Sequence, residues 1–543
     1  MTKIDNFYSK SQQSKDNFYL GMISQVYREN AYVQVENLSL LSHRNIRLEM
    51  LVPNTINYFV VIDSIHGLFI AQVYQSKVNS SDSVHNSMNN GLKNMIYPEL
   101  AINILGILDE DINKFKLSGF KTVGLTDKVY IANKYIISTF IDSMEINDYK
   151  DDKNNPQKPL KNLMKISDID DKYISLKPNT LFDRHLMVIG TTSSGKSTSS
   201  LVILDRLIAS NKKVLIIDPT GEYKDSFNSQ EVTKLSLGEN TSIKTDRLEI
   251  DFWTNFFNVS DSENSNQAYI LAEAIKSLRY QKSINENIVL KKDGEKVNSI
   301  LSKINNVTSK NFDLDLLPDQ IRQECVKRKN KDEIFQTDGN IYNAMIWLNQ
   351  KIEYLLQTPL ITKFFKDSNN DLLEEIDKFI NPVSKRSLYI DLSNISKTDK
   401  AGETIIELIS NSLINNKDEK DESSFILFID EVHRYINSYV DDSGLVSIAR
   451  EGRNKGIFLF LTTQSPKDVP NILLGQIGTM IVHNLNSEDE IVAIKNKLDT
   501  NLVSKIKKLN RGEAILTSIN LLQDIPIYFE ISKRTHYNDT NLI

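Results

Sequence analysis

A chain of 543 residues, 40% hydrophobic and 25% charged, has the composition of a globular protein with ample core and a length that suits about three or four domains. Its single cysteine, Cys325, excludes an intramolecular disulfide and any multi-cysteine zinc site, and suits a reducing cytoplasm. A formal net charge of −6 excludes a protein that coats nucleic acid with its outer surface, and confines any DNA contact to local basic features such as loops lining a channel.

Residues 1–17 are polar and are expected to fray. The first six residues lack the apolar core of a secretory signal, and no apolar run approaches the length of a bilayer span, so a cytoplasmic location is expected, with no membrane association. From Tyr19 the pattern changes to short strands. Leu20–Tyr27 and Ala31–Glu36 alternate apolar and polar residues, Tyr58–Asp63 and Gly67–Tyr74 repeat the theme, and Val129–Ala132 and Tyr135–Ser138 close the section. Little helix and many short strands predict a small β-barrel over 1–150, with 77–93 a loose loop inside it. The charged, proline-bearing stretch 147–160 reads as a domain boundary or an exposed hairpin.

The next segment carries the most specific signal. Gly190, Thr191, Thr192, Ser193, Ser194, Gly195, Lys196 and Ser197 match GxxxxGK[ST] at every fixed position. Leu186–Ile189 before them reads as a buried strand, and Thr198–Ala209 after them as a helix. That context is what a phosphate-binding loop requires. Glycines let the backbone close around phosphate oxygens, and successive N–H groups with the helix N-terminus present positive charge. Lys196 is expected to reach the β- and γ-phosphates of ATP, Ser197 to ligate Mg²⁺, and Thr198 to flank the phosphates.

Lys213–Asp218 is a second parallel strand, followed by Asp218-Pro-Thr-Gly-Glu222-Tyr. Asp218 and Glu222 either face the nucleotide or belong to a Pro/Gly turn with a structural aspartate, the safer reading from composition. From 261 to 384, apolar residues recur at helical spacing in Ala268–Leu278, Val297–Ile304, Ile341–Leu356 and Leu372–Ile380, which predicts a helical insertion. It splits an α/β core into 161–260 and 385–520, with a C-terminal strand and tail over 521–543.

Phe425–Asp430-Glu431 is a buried-strand run ending in two acids. At the carboxyl end of such a strand Asp430 is placed for the metal and Glu431 to polarise an attacking water. Ile457–Thr463 is another apolar run, and Gln464 beyond it is placed for the γ-phosphate or the lytic water; the alternative is a surface glutamine. Between them, Arg450 and Arg453 are three apart, on one helix face near its end. They are either an arginine finger supplied to a neighbouring subunit or ordinary surface cations.

Five segments in this order carry a resemblance: Arg184 through Ser197, Asp218 through Tyr223, Phe428 through His433, Arg450 through Gly456, and Leu461 through Pro466. The chain resembles HerA-type ATPases of the HerA–FtsK superfamily over nearly its whole length. The resemblance implies a RecA-like core, a HerA-type barrel, a helical-bundle insertion, and a homohexamer that drives double-stranded DNA through a central channel using ATP. It implies nucleotide bound between subunits, Arg453 as the finger in trans with Arg450 second, and Arg184 near the phosphates. It also implies a separately encoded effector: a nuclease in DNA-end processing, or a sirtuin-like NAD⁺-consuming enzyme or nuclease in antiphage defence. Two positions depart from the family pattern. Ser193 or Ser194 stands where a further glycine is common, and Thr220 where histidine is frequent. Lys397–Lys400 and the segment after His433 are candidate DNA loops. The competing reading is an ATPase scaffold that assembles and regulates an effector without translocation. A conjugative pump is a third, against which the lack of a membrane segment counts.

Overall fold

In the computed structural model the described residues are 3–10, 12–46, 49–51, 55–78, 81–147, 157–167, 173–259, 265–329, 333–358, 363–365, 370–395, 401–417, 423–436 and 443–535. Six strands close the barrel of the N-terminal unit: β1 (Tyr19–Val26), β2 (Asn30–Val35), β3 (Phe59–Ser64), β4 (Gly67–Lys77), β5 (Glu99–Asp109) and β6 (Lys128–Ile131). They pair antiparallel in the order β2-β1-β6-β3-β4-β5, and β5 returns to β2, so the sheet closes into the expected barrel. Closure removes exposed strand edges.

Three local expectations are corrected. The start of the chain is not frayed throughout: Lys3–Ser9 is a helix that buries Ile4, Phe7 and Tyr8 on one face, and the Tyr8 hydroxyl donates to the Ile131 carbonyl at 2.5 Å. Residues 77–93 are not a loose loop: Asp82–Asn89 is a helix capped by the Ser81 hydroxyl. Tyr135–Ser138 is not a strand but part of a helix, Lys134–Ile141. Asn133 caps it, and Ile136 and Phe140 point into the barrel core. Residues 148–156 of the expected boundary lie outside the described residues; 157–159 lead into the core's first strand.

The second unit is an eleven-stranded sheet. Its strands are β7 (Leu160–Ile166), β8 (Tyr173–Leu176), β9 (Leu186–Ile189), β10 (Lys213–Asp218), β11 (Val232–Ser236), β12 (Ser387–Asp391), β13 (Phe425–Ile429), β14 (Ile457–Thr463), β15 (Thr479–Val482), β16 (Glu513–Ser518) and β17 (Ile525–Tyr528). The order is β8-β7-β17-β16-β15-β9-β14-β13-β10-β12-β11. From β15 to β11 neighbouring strands are parallel; from β15 to β8 they are antiparallel. The central runs are apolar throughout because both faces are covered. Met187, Ile189, Leu215 and Ile217 face one core, shared with the helical insertion, while Leu186, Val188, Val214 and Ile216 face another, shared with the P-loop helix (Lys196–Ala209) and the barrel.

The insertion carries the expected helices as Ser265–Ser283, Val297–Asn305, Gly339–Gln357 and Leu372–Ile380, with a short helix Leu317–Gln323. It also carries a β-hairpin, Val326–Lys329 with Ile334–Thr337, that the helical periodicity did not reveal. The candidate DNA loop Lys397–Lys400 and most of the segment after His433 lie outside the described residues.

Candidate nucleotide site

The parallel strands end together on one edge of the sheet, where the chemistry gathers. Gly190 leaves β9 and passes so close to the chain after β15 that a Cβ there would sit 2.7 Å from the His483 Cβ. Ser193 adopts φ +64°, the left-handed region. Of the two serines, Ser193 or Ser194, that could stand for a family glycine, Ser193 is the one whose backbone favours glycine, at a strain of order 1–3 kcal/mol for a non-glycine residue. Gly195, at φ +112°, caps the P-loop helix. The loop is pinned on both sides. The Gly190 N–H donates to Thr463 O at 3.2 Å on the β14 side, and the Thr191 N–H to Asn484 O at 3.0 Å beyond β15.

Lys196 begins the P-loop helix, nearly buried, with its Nζ 2.5 Å from Glu431 Oε1. Burial alone would lower the lysine, but Asp430 and Glu431 hold it above its ordinary value. Burial alone would raise Glu431, but the Lys196 ammonium, with hydrogen bonds from Lys196 and Gln464, brings it below the carboxylate range. Gln464 Nε2 donates to Glu431 Oε1 at 2.5 Å, and its Oε1 accepts from the Thr192 hydroxyl at 3.0 Å. Gln464 is thus a bridge between P-loop and carboxylate, not an incidental surface residue. Glu431 itself sits at φ +49° with its N–H held by the Thr462 hydroxyl at 2.9 Å, so the strand end is turned to aim the carboxylate at the loop. Its Oε2 has no hydrogen-bond partner, although His433 Nδ1 lies 3.4 Å away.

Asp430 is fully buried; burial pushes it up to about 7, with Lys196 opposing. Its Oδ1 accepts from the Thr462 hydroxyl at 2.5 Å, and its Oδ2 lies 3.4 Å from the Thr220 hydroxyl. Glu222 lies beside the Ser197 hydroxyl with its Oε2 buried and unpartnered; burial raises it, and Ser197 and Lys196 oppose. Among the described residues no cluster of three His, Cys, Asp or Glu side chains makes a metal cage. Hard oxygen donors from Ser197 and Asp430, with Glu222 close by, fit Mg²⁺, which characteristically takes one or two protein ligands together with phosphate oxygens and water.

Of the two readings of Asp218, the hydrogen bonds favour the structural turn. Its Oδ1 accepts from the N–H groups of Thr220 and Gly221 at 3.0 and 2.8 Å, and its Oδ2 from the Tyr223 N–H and Tyr389 hydroxyl at 2.8 and 2.9 Å. With both oxygens engaged it shapes the turn that presents Glu222 and Thr220. Arg184 lies away from the P-loop of its own subunit. It precedes β9, at the end of the strand opposite the P-loop. Arg450 is exposed on the helix Gly444–Glu451, and Arg453 lies in the turn beyond it rather than on the same helical turn, with its Nη2 3.0 Å from Asp183 Oδ1. That turn feeds β14, whose seven residues separate it from Gln464 by roughly 20 Å. All three arginines therefore stand on the edge of the sheet opposite their own P-loop. His185 fixes them there: its Nδ1 accepts from the Leu459 N–H at 2.9 Å and its Nε2 faces Ala449 O at 3.0 Å.

His483 escaped the sequence reading because nothing local marks it. It is fully buried beneath the loop, Nδ1 to Glu513 O and Nε2 to the Ser199 hydroxyl, both at 2.9 Å, and burial lowers it to about 4. An unfolded histidine titrates near 6.5. Between those values the unfolded chain holds a proton that the folded chain refuses, so stability is complete above the upper value and is lost as pH falls through the window. The full loss is about 3 kcal/mol, about 2 of it between pH 7.5 and pH 5. His483→Gln should show a smaller drop in melting temperature over that interval than the parent; an equal drop would assign the acid sensitivity elsewhere.

Two family models match in tandem: "Helicase HerA, central domain" over 162–413 and "Helicase HerA-like C-terminal" over 406–525. The chain belongs to the HerA helicase family. A probable DNA double-strand break repair helicase HerA of Methanocaldococcus jannaschii is 23% identical over 67% of this chain and 74% of its own length. The DNA double-strand break repair helicase HerA of Sulfurisphaera tokodaii is 24% identical over 69% and 70%. A further probable helicase of M. jannaschii is 23% identical over 64% of this chain, which spans only 62% of that relative's length. Among solved structures, plasmid coupling protein TrwB with a non-hydrolysable ATP analogue is 13% identical over 66% of this chain and 88% of its own, at a TM-score of 0.45. VirB4 of Thermoanaerobacter pseudethanolicus is 14% identical over 68% and 96%, also at 0.45. In this HerA-family chain the P-loop lysine Lys196, the carboxylate of Glu431 and the bridging Gln464 are already held together.

Proposed function

We propose that this chain is an ATP-hydrolysing motor that moves double-stranded DNA through a homohexameric ring, in DNA processing or antiphage defence. The observation that carries the ring is the separation of two half-sites on one sheet. Gly190–Thr198, Asp430, Glu431 and Gln464 lie at one edge, and Arg184, Arg450 and Arg453 at the other. Head-to-tail packing brings the arginine edge of one subunit to the P-loop edge of the next, and repetition closes a ring. In each site Lys196 and the loop N–H groups hold the phosphates of ATP. Ser197 and Asp430 would hold Mg²⁺, which when bound neutralises phosphate charge. Glu431 takes the proton of the attacking water while Gln464 ties that carboxylate to the loop, and the neighbour's Arg453 meets the charge on the transferring group.

No helix among the described residues is long and apolar enough to cross a membrane, which weighs against a membrane-anchored pump. A separately encoded effector, a nuclease or a sirtuin-like enzyme, is part of this proposal. The competing role, an ATPase scaffold that regulates such an effector without translocation, draws on the net charge of −6. Lys196→Ala separates the two. For a motor, duplex DNA stimulates ATP hydrolysis in the parent, and the variant loses hydrolysis, strand displacement and effector output together. A variant that keeps the effector complex fully active identifies a scaffold. A monomer by mass photometry, with and without nucleotide, would overturn the ring.

A further inference from the structure

Strand order gives the bound nucleotide a direction. The hydrolytic groups, Gln464 after β14 and Glu431 after β13, lie on one side of β9. The γ-phosphate must lie toward them, so the nucleoside end points toward β15 and β16 on the other side. There the turn before β16 is built into the P-loop. The Gly512 N–H donates to Ser194 O at 2.9 Å, and Asn484, which accepts from Thr191, donates its Nδ2 to Lys507 O and Leu509 O at 3.1 Å each. The contact is tight enough that a Cβ on Gly195 would lie 2.9 Å from the Gly512 nitrogen, and Gly512 itself holds φ +85°.

Two side chains of this turn and its neighbour strand have no assigned task. Arg511 is exposed and makes no ion pair or hydrogen bond among the described residues. Of the lysines that precede it, Lys507 pairs with Glu488 and Lys505 reaches Asn57 Oδ1 at 3.3 Å, while Lys508 is exposed but lacks the planar face of a guanidinium. Tyr528, at the end of β17, is 37% exposed, and its ring edge lies 3.0 Å from the position a Gly512 Cβ would take. An aromatic face and a planar cation beside the nucleoside end of a phosphate loop are what a purine base stacks against.

We propose that Arg511 and Tyr528 form the nucleoside clamp of the ATP site, gripping the base while the P-loop holds the phosphates. The clamp rests on the ATP reading above. It contacts a part of the substrate that does not change during hydrolysis, so it contributes uniform binding and raises affinity without accelerating the chemical step.

The test uses the full-length chain and the variants Arg511→Ala, Tyr528→Ala and Tyr528→Phe, with affinities measured for ATP, for ADP and for inorganic tripolyphosphate, which has no base. Arg511→Ala and Tyr528→Ala should each weaken ATP and ADP about tenfold with kcat little changed. Tripolyphosphate binding should hold at the parental value, which also shows that the loop is still folded, and Tyr528→Phe should bind as the parent does. Equal weakening of tripolyphosphate and ATP would make Arg511 a phosphate contact and overturn the clamp, as would unchanged ADP affinity in both alanine variants. A parent that binds ATP no better than Lys196→Ala overturns the ATP reading and the clamp with it, an outcome distinct from failure of the clamp alone.

Discussion

Glu431→Gln should lower ATP hydrolysis by about 10²–10⁴-fold, the range for removing a positioned general base, while ATP remains bound. The substitution keeps the side chain's shape and removes its ability to take a proton. The parent carboxylate is held ionised by Lys196 at 2.5 Å and by Gln464 at 2.5 Å, and is aimed by a left-handed backbone at residue 431. Its Oε2 is buried without a hydrogen-bond partner, so one acceptor is free for a water proton. With the charge gone, Lys196 loses an ion-pair partner that would otherwise compete with phosphate, so nucleotide affinity should stay level or tighten. Steady-state hydrolysis and equilibrium binding of a fluorescent ATP analogue, measured on one preparation, check both halves. Parental turnover in Glu431→Gln would place the base elsewhere. A loss of binding equal to the loss of turnover would make the residue structural.

The parts of this site that were legible in the sequence are those whose chemistry is local. A P-loop is eight consecutive residues, and the run Phe425–Glu431 announces a buried strand and its acidic end within one window. The barrel was legible as alternating strands, but the helix Lys134–Ile141 was not. Three of its apolar residues in a row, Tyr135 to Ile137, look like a strand, and what decides for helix is the Asn133 cap together with Ile136 and Phe140 four apart. The same spacing of Ile4, Phe7 and Tyr8 was hidden by polar neighbours. Long-range contacts were out of reach altogether. Nothing around His483 or Gly512 says that both lie against the phosphate loop, because that depends on β15 being laid beside β9 and β16 beside β15. Asp218 shows a choice that the sequence left open. An acid at a parallel strand's carboxyl end belongs to the class that binds ligands, yet five hydrogen bonds from Thr220, Gly221, Tyr223 and Tyr389 occupy both its oxygens.

Arg453→Ala should cost more than any other surface substitution, about 10³–10⁵-fold in turnover if its guanidinium stabilises the transferring phosphoryl group of the adjacent subunit. Within its own subunit it is separated from Gln464 by the length of β14, so a direct catalytic role in cis is geometrically excluded. Its contact with Asp183 at 3.0 Å is half-exposed, a setting in which an ion pair contributes little to stability. The variant should therefore fold and assemble normally. Arg453→Lys should not restore turnover, because a point charge does not reproduce the planar two-pronged donor. The decisive measurement mixes two inactive proteins. An Arg453→Ala subunit keeps a sound P-loop edge and a Glu431→Gln subunit keeps a sound arginine edge, so a ring built from both contains complete sites at interfaces where those edges meet. In an equal random mixture that is about a quarter of the interfaces, and hydrolysis should reappear to that extent. Mixtures that stay inactive under conditions where subunits exchange would remove Arg453 from the catalytic site. Activity in Arg450→Ala at the parental level, alongside loss in Arg453→Ala, would assign the finger to Arg453 alone.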